Sequence, residues 1–140
     1  MQKAIIFYKS RKGKTKKFGE NILEFLNELA VTAEIRSIDE EILPDLSAYD
    51  YIFLGCWTKG LMLLFQKPEK SWREFAAKLP PLDEKMVVLF TTYNIRTGSM
   101  FENMEKLLKF NNKPDSVLQI KSRKSVLNEK IKMQLKRFVN

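Results

Sequence analysis

The stretch Phe7–Glu20, "FYKSRKGKTKKFGE", decides how this chain is read. An apolar run ends here, a short polar turn carries Ser10, Gly13 and Thr15, and a helical pattern begins. Backbone N–H groups collect at such a strand-to-helix turn and point outward. The helix dipole favours an anion there, and Ser10 and Thr15 add hydroxyl donors. Gly13 lets the backbone approach a ligand or take a positive φ. The loop alone also fits a plainer reading, in which Ser10 caps the helix and Gly13 makes a tight turn.

Two familiar phosphate loops do not fit. A triphosphatase loop needs Gly-x-x-x-x-Gly-Lys-Ser/Thr. Gly13, Lys14 and Thr15 satisfy its end, but Tyr8 stands at the first glycine. No apolar run ends in the aspartate that would help hold magnesium. The dinucleotide fingerprint Gly-x-Gly-x-x-Gly is absent, since Gly13 stands alone before Gly19.

Outward from this loop the chain alternates. "AIIFY", "YIFLGC" (Tyr51–Cys56) and "KMVVLFTT" (Lys85–Thr92) are continuous apolar runs, as expected for strands covered on both faces. "TAEIRSI" and "SVLQIK" are weaker strands. Phe18, Ile22, Phe25, Leu26 and Leu29 recur at helical spacing, and so do Trp72, Phe75, Ala76 and Leu79 before Pro80 and Pro81. Gly98 and Ser99 open a third helical pattern, and Leu127, Ile131, Leu135 and Phe138 form a fourth. Between Leu43 and Asp50, with Pro44, only one helical turn is expected. This order predicts a parallel sheet wrapped by helices, and 140 residues fit one domain over 1–140.

Composition narrows the chemistry. Apolar residues make up 44% and charged residues 30%, which suits a globular chain with its own core. No apolar run is long enough for a membrane span, and no signal peptide is expected. Cys56 is the single cysteine, so no internal disulfide forms, and a cytoplasmic location is expected. With no histidine, Ser-His and Cys-His catalysis are excluded, and no soft metal site is expected. The net charge of +8 favours phosphate groups or acidic partners. Two basic runs carry it: Lys9, Arg11, Lys12, Lys14, Lys16 and Lys17, then Lys121, Arg123, Lys124 and the lysines of the last helix. No nucleic-acid recognition motif accompanies them, so nucleic acid is not an expected partner.

At three places the chain resembles the flavodoxin family. "YKSRKGKT" is similar to the family phosphate loop Ser/Thr-x-Thr-Gly-x-Thr: Ser10, Gly13 and Thr15 match, and Lys12 replaces a hydroxyl residue. "LGCWTKG" resembles a family version reading Gly-Cys-Ser-Thr-Trp-Gly: Gly55, Cys56, Thr58 and Gly60 match, with the aromatic at Trp57 and Lys59 in its usual place. "TTYNIRTGS" falls where family members place an aromatic over the flavin ring, and Tyr93 stands there. Each motif lies at the carboxyl end of an expected strand, the ligand-binding edge of an open parallel sheet.

The resemblance implies a flavodoxin-like three-layer α/β sandwich with five parallel strands in the order 2-1-3-4-5. It implies FMN as cofactor and a role in electron transfer with a redox partner protein, and the net charge of +8 favours an acidic one. Ser10, Arg11, Lys12, Gly13, Lys14 and Thr15 would hold the phosphate. Cys56, Trp57, Thr58, Lys59 and Gly60 would run along one side of the ring, and Thr92, Tyr93 and Asn94 along the other. Replacing Ser10 or Thr15 is expected to weaken phosphate binding with little loss of stability. Lys59 would place a positive charge beside the ring and ease its reduction. "LMLLFQ" (Leu61–Gln66) would begin a helix or cover the ring. Trp72 is expected in the core, and Cys56 as inert packing. Two alternatives stay open: a binding module of this fold without flavin, and an FMN-dependent reductase.

Overall fold

The computed structural model describes residues 2–40, 42–58, 68–94, 97–110 and 117–139. Five strands, β1 (Lys3–Lys9), β2 (Thr32–Ser37), β3 (Tyr51–Trp57), β4 (Met86–Thr92) and β5 (Leu118–Ser122), alternate with four helices, α1 (Lys14–Glu28), α2 (Lys70–Lys78), α3 (Met100–Lys106) and α4 (Glu129–Phe138). The strands form one parallel sheet in the order β2-β1-β3-β4-β5. The expected order is borne out. Among the described residues between β2 and β3 the chain makes one 3-10 turn, Leu46–Ala48, capped by the Asp45 side chain. That segment is too short and too proline-interrupted for an α-helix.

The period-two alternation of a strand divides the core into two halves. Ala4 and Ile6 of β1 pack with Phe18, Ile22 and Leu26 of α1 and with Ile131 and Leu135 of α4. Ile5 and Phe7 pack with Trp72 and Ala76 of α2 and with Met100 and Met104 of α3. The sheet is therefore the middle of three layers. This explains why β1, β3 and β4 read as unbroken apolar runs: both faces are covered. Trp72 is fully buried, as the helical stripe implied.

Gly55 has a steric role at the centre of the sheet. The Phe90 ring lies over it, so that a Cβ on Gly55 would sit 2.1 Å from Phe90 Cζ. Phe90 in turn meets Phe18 edge-on, with ring centroids 5.7 Å apart. An aromatic pair of this geometry contributes about 0.5–1.5 kcal/mol beyond its area burial. The absent side chain at Gly55 thus seats the ring that joins sheet to α1.

β2 and β3 lie on opposite sides of β1. The carboxyl ends of β1 and β3 therefore flank the switch point of the sheet, where an open α/β fold leaves a crevice.

Candidate functional site

The phosphate-loop candidate is built by a short connection. β1 ends at Lys9 and α1 starts at Lys14. Gly13 sits at the helix N-cap with φ 92° and ψ −9°, a left-handed conformation that favours glycine. Its N–H donates to Ser10 Oγ at 3.0 Å, which closes the turn on itself. Ser10 therefore ties the loop and does not cap the first helical turn. No side chain caps α1, and its first turn contains no acid. Its first N–H groups lack intrahelical acceptors. Arg11, Lys12 and Lys14 stand exposed around that positive end. Basic residues at a helix N-terminus raise the free energy of the empty loop and lower it when an anion is present.

Thr15 is more deeply placed than the sequence suggested. It is fully buried, and its Oγ1 lies 2.6 Å from Thr92 Oγ1. The same pattern repeats one strand along: Thr58 Oγ1 is 2.8 Å from Thr91 Oγ1, and Thr58 N–H donates to Thr92 O at 2.9 Å. Thr91 Oγ1 also donates to Cys56 O. Four threonine hydroxyls thus close the ends of β3, β4 and α1 into a floor. The expectation that Thr15 could be removed with little effect on stability is corrected here, because its buried partner Thr92 would lose a hydrogen bond.

Above this floor lies a cavity of about 780 Å³, lined by Ser10, Arg11, Lys12, Lys14, Thr15, Trp57, Thr58, Glu69, Thr92, Tyr93 and Asn94. Ten of these residues come from the three sequence motifs. Gly13 shapes the loop without lining the cavity. Cys56 lies under the floor, and burial pushes its thiol pKa up to about 12. Lys59, Gly60 and Leu61–Gln66 lie outside the described residues.

The two aromatic side chains are both half-buried but differently held. Trp57 Nε1–H donates to Glu69 Oε2 at 2.7 Å. The Arg11 guanidinium lies 5.2 Å from the Trp57 ring centre. Tyr93 instead meets two cations of the second basic run, Lys121 Nζ at 5.9 Å and the Arg123 guanidinium at 5.3 Å. Beside it, Lys14 Nζ donates to Asn94 Oδ1 at 3.3 Å.

Glu69 is the lining residue that sequence reasoning missed. It directly follows Pro68 and precedes the first residue of α2, the N-cap position where acids are favoured. That position was the available signal. The convergence of the basic runs was also missed. The loop after β5 docks on α1 through Ser125 Oγ–H to Lys14 O at 2.6 Å and Asn21 Nδ2–H to Ser125 O at 2.8 Å. Ser125 takes φ 66° to do so.

The cavity thus lies at the sheet's switch point, edged by a strand-to-helix turn and two aromatics, where open α/β folds bind ligands. The chain matches the family described as Flavodoxin domain over residues 5–138, and it belongs to that family. It is an FMN-binding, flavodoxin-like electron-transfer protein, and flavodoxins pass electrons to redox partner proteins. Its fold is similar to the two-electron reduced flavodoxin of Megasphaera elsdenii, with TM-score 0.70 and 21% identity over 96% of each chain. Oxidised Flavodoxin 2 of Bacillus cereus gives 0.65 and 20%, covering 97% of this chain and 94% of that one. The Streptococcus pneumonia TIGR4 flavodoxin gives 0.66 and 14%, covering 99% and 94%. No curated protein sequence matches the chain. Among the described residues no helix is long and apolar enough to cross a membrane.

Proposed function

We propose that this chain works as an electron carrier by holding FMN with its phosphate on the first turn of α1 and its ring between the Trp57 and Tyr93 lips of the cavity. One observation carries the reading. The N-terminus of α1 is uncapped and acid-free, opens through a left-handed glycine, and is ringed by Arg11, Lys12 and Lys14. A terminal phosphate meets free N–H groups, the Ser10 hydroxyl and these cations, with Thr15 behind them. The cavity volume suits a ligand of this size, since small-molecule sites span about 300–1,000 Å³.

Bound FMN supplies the electron transfer itself. The chain's residues bind and orient it: the loop fixes the phosphate end, the threonine floor keeps the strand ends in register, and the two lips limit solvent at the ring. No side chain is assigned as an acid or base. The preferred partner is an acidic protein surface, supported by the basic side chains around Tyr93. A buried, inert thiol as the single cysteine is in keeping with the cytoplasm.

The experiment is reconstitution. Apoprotein mixed with FMN, then desalted, is expected to retain flavin absorbance at about one FMN per chain. Protein that emerges colourless after saturation with FMN would contradict the reading.

A further inference from the structure

Glu69 occupies the N-cap of α2 yet does not act as a cap, since its side chain makes no hydrogen bond to that helix's backbone. Its carboxylate turns to the cavity instead. Oε2 accepts the Trp57 indole N–H at 2.7 Å, in the range of a charge-assisted bond. Oε1 accepts from Ser71 Oγ at 3.3 Å and lies 4.0 Å from Lys9 Nζ. Lys9 is held in place by Asp39 at 2.9 Å. The carboxylate is thus fixed by Ser71 and Lys9, and the start of α2 supports its charge. It grips the only polar atom of the indole. A half-buried indole without this bond has several rotamers open to it, and a ring-stacking surface must hold one.

We propose that Glu69 is a positioning residue, which fixes the Trp57 ring as the rigid wall of the cavity and places next to it the one carboxylate that lines the cavity among the described residues. The proposal rests on the reading of the cavity as the FMN site. Two consequences separate it from a purely structural role. The bond to Trp57 depends on an acceptor oxygen, so Glu69→Gln retains it and Glu69→Ala loses it. The charge acts on the bound ring whether or not the bond survives, so both variants ease reduction of FMN by removing a negative charge.

The test uses apoprotein and FMN-loaded protein of the full chain. In apoprotein, solvent exchange of the Trp57 indole N–H is read by NMR. It is expected to be slow in wild type, somewhat faster in Glu69→Gln and at least about tenfold faster in Glu69→Ala, the loss of a hydrogen bond to a charged group. FMN affinity is expected to fall about tenfold in Glu69→Ala and within about threefold in Glu69→Gln. The midpoint potential is expected to become less negative in both. Unchanged indole exchange in Glu69→Ala overturns the positioning role, and so does unchanged FMN affinity. If wild type fails to bind FMN, the cofactor reading falls, while indole exchange still decides whether Glu69 holds Trp57. Should Glu69→Ala fail to fold, Glu69→Leu, which keeps the bulk and lacks an acceptor, is measured in wild type and in a Trp57→Phe background. A change in FMN affinity that is equal in both backgrounds overturns the proposal, and one that vanishes without the indole supports it.

Discussion

The two lips of the cavity treat the same ingredients, an aromatic ring and nearby cations, in opposite ways. At the Trp57 lip Arg11 stands against the ring, and the lysine behind it is paired with carboxylates. Lys9 is bound to Asp39, whose hydrogen bond raises the Lys9 pKa above the usual lysine value, and Glu69 lies 4.0 Å from the same ammonium. At the Tyr93 lip Lys121 and Arg123 stand against the ring, Lys14 leans in through Asn94, and no carboxylate lines that side among the described residues. The first lip is a hydrogen-bonded wall that holds a ring in place. The second is an exposed edge carrying Lys121 and Arg123, the one that the proposed acidic partner would meet. Part of the net charge of +8 stands beside the cavity, from Arg11 at the Trp57 lip and from Lys121 and Arg123 at the Tyr93 lip.

The largest expected effect concerns the base of the Trp57 lip. Cys56 is sealed there with its pKa pushed to about 12 from an ordinary 9.0. At pH 7 the native thiolate fraction is therefore far lower than in the unfolded chain. A thiol reagent should therefore react at the rate of local or global unfolding in native protein and at once in denaturant. Fast labelling of native protein would show that the wall opens. The sign for stability follows. Because the folded pKa is raised, the unfolded thiol ionises first, so this stabilisation is complete below about pH 9 and is lost as pH rises to about 12.

Next comes Gly55→Ala in the strand that carries the same lip. Its Cβ would overlap the Phe90 ring, and overpacking of this kind costs typically about 1–3 kcal/mol. Urea unfolding measures it. A neutral result would mean that β3 and β4 can separate freely beneath both lips.

Thr15→Val tests the floor that joins the lips. It leaves the buried Thr92 hydroxyl without its partner, which costs about 1–3 kcal/mol. Unchanged stability would place the Thr15–Thr92 bond outside the working structure.

The smallest effect is the most specific to the comparison. Lys121→Glu with Lys124→Glu should slow oxidation of the reduced, FMN-loaded protein by the hexacyanoferrate(III) trianion severalfold at low salt. Added salt should erase the difference, because exposed charges are screened over about 10 Å at 0.1 M. Lys70→Glu, beside Glu69 at the other lip, should change the rate less. Equal effects at both lips would remove the asymmetry.

Most of the fold was legible because its signals are local. Strands covered on both faces leave continuous apolar runs, and α1 and α4 leave stripes such as Phe18–Ile22–Leu26 and Ile131–Leu135. The loop at Ser10–Thr15 was legible because a turn between a strand and a helix has few forms. What stayed hidden depends on contacts between distant residues. Thr15 meets Thr92, and Ser125 meets Lys14, only because β1, β4 and β5 share one carboxyl edge. The second basic run reads in sequence as solvated charge, and the pairing of β5 with β4 brings its first residues to Tyr93. Glu69 was hidden for a simpler reason. The stretch from Cys56 to Pro68 contains no acid, and the one that matters is the next residue.

The central claim is that the loop at Ser10–Thr15 binds the cofactor through its phosphate. Calorimetric titration of apoprotein with FMN and with riboflavin tests this directly, because the two ligands share the ring and differ in the phosphate. FMN should bind more tightly by at least about a hundredfold, the worth of two charge-assisted hydrogen bonds. Equal affinities for FMN and riboflavin would contradict the claim and leave the loop as a turn that only starts a helix.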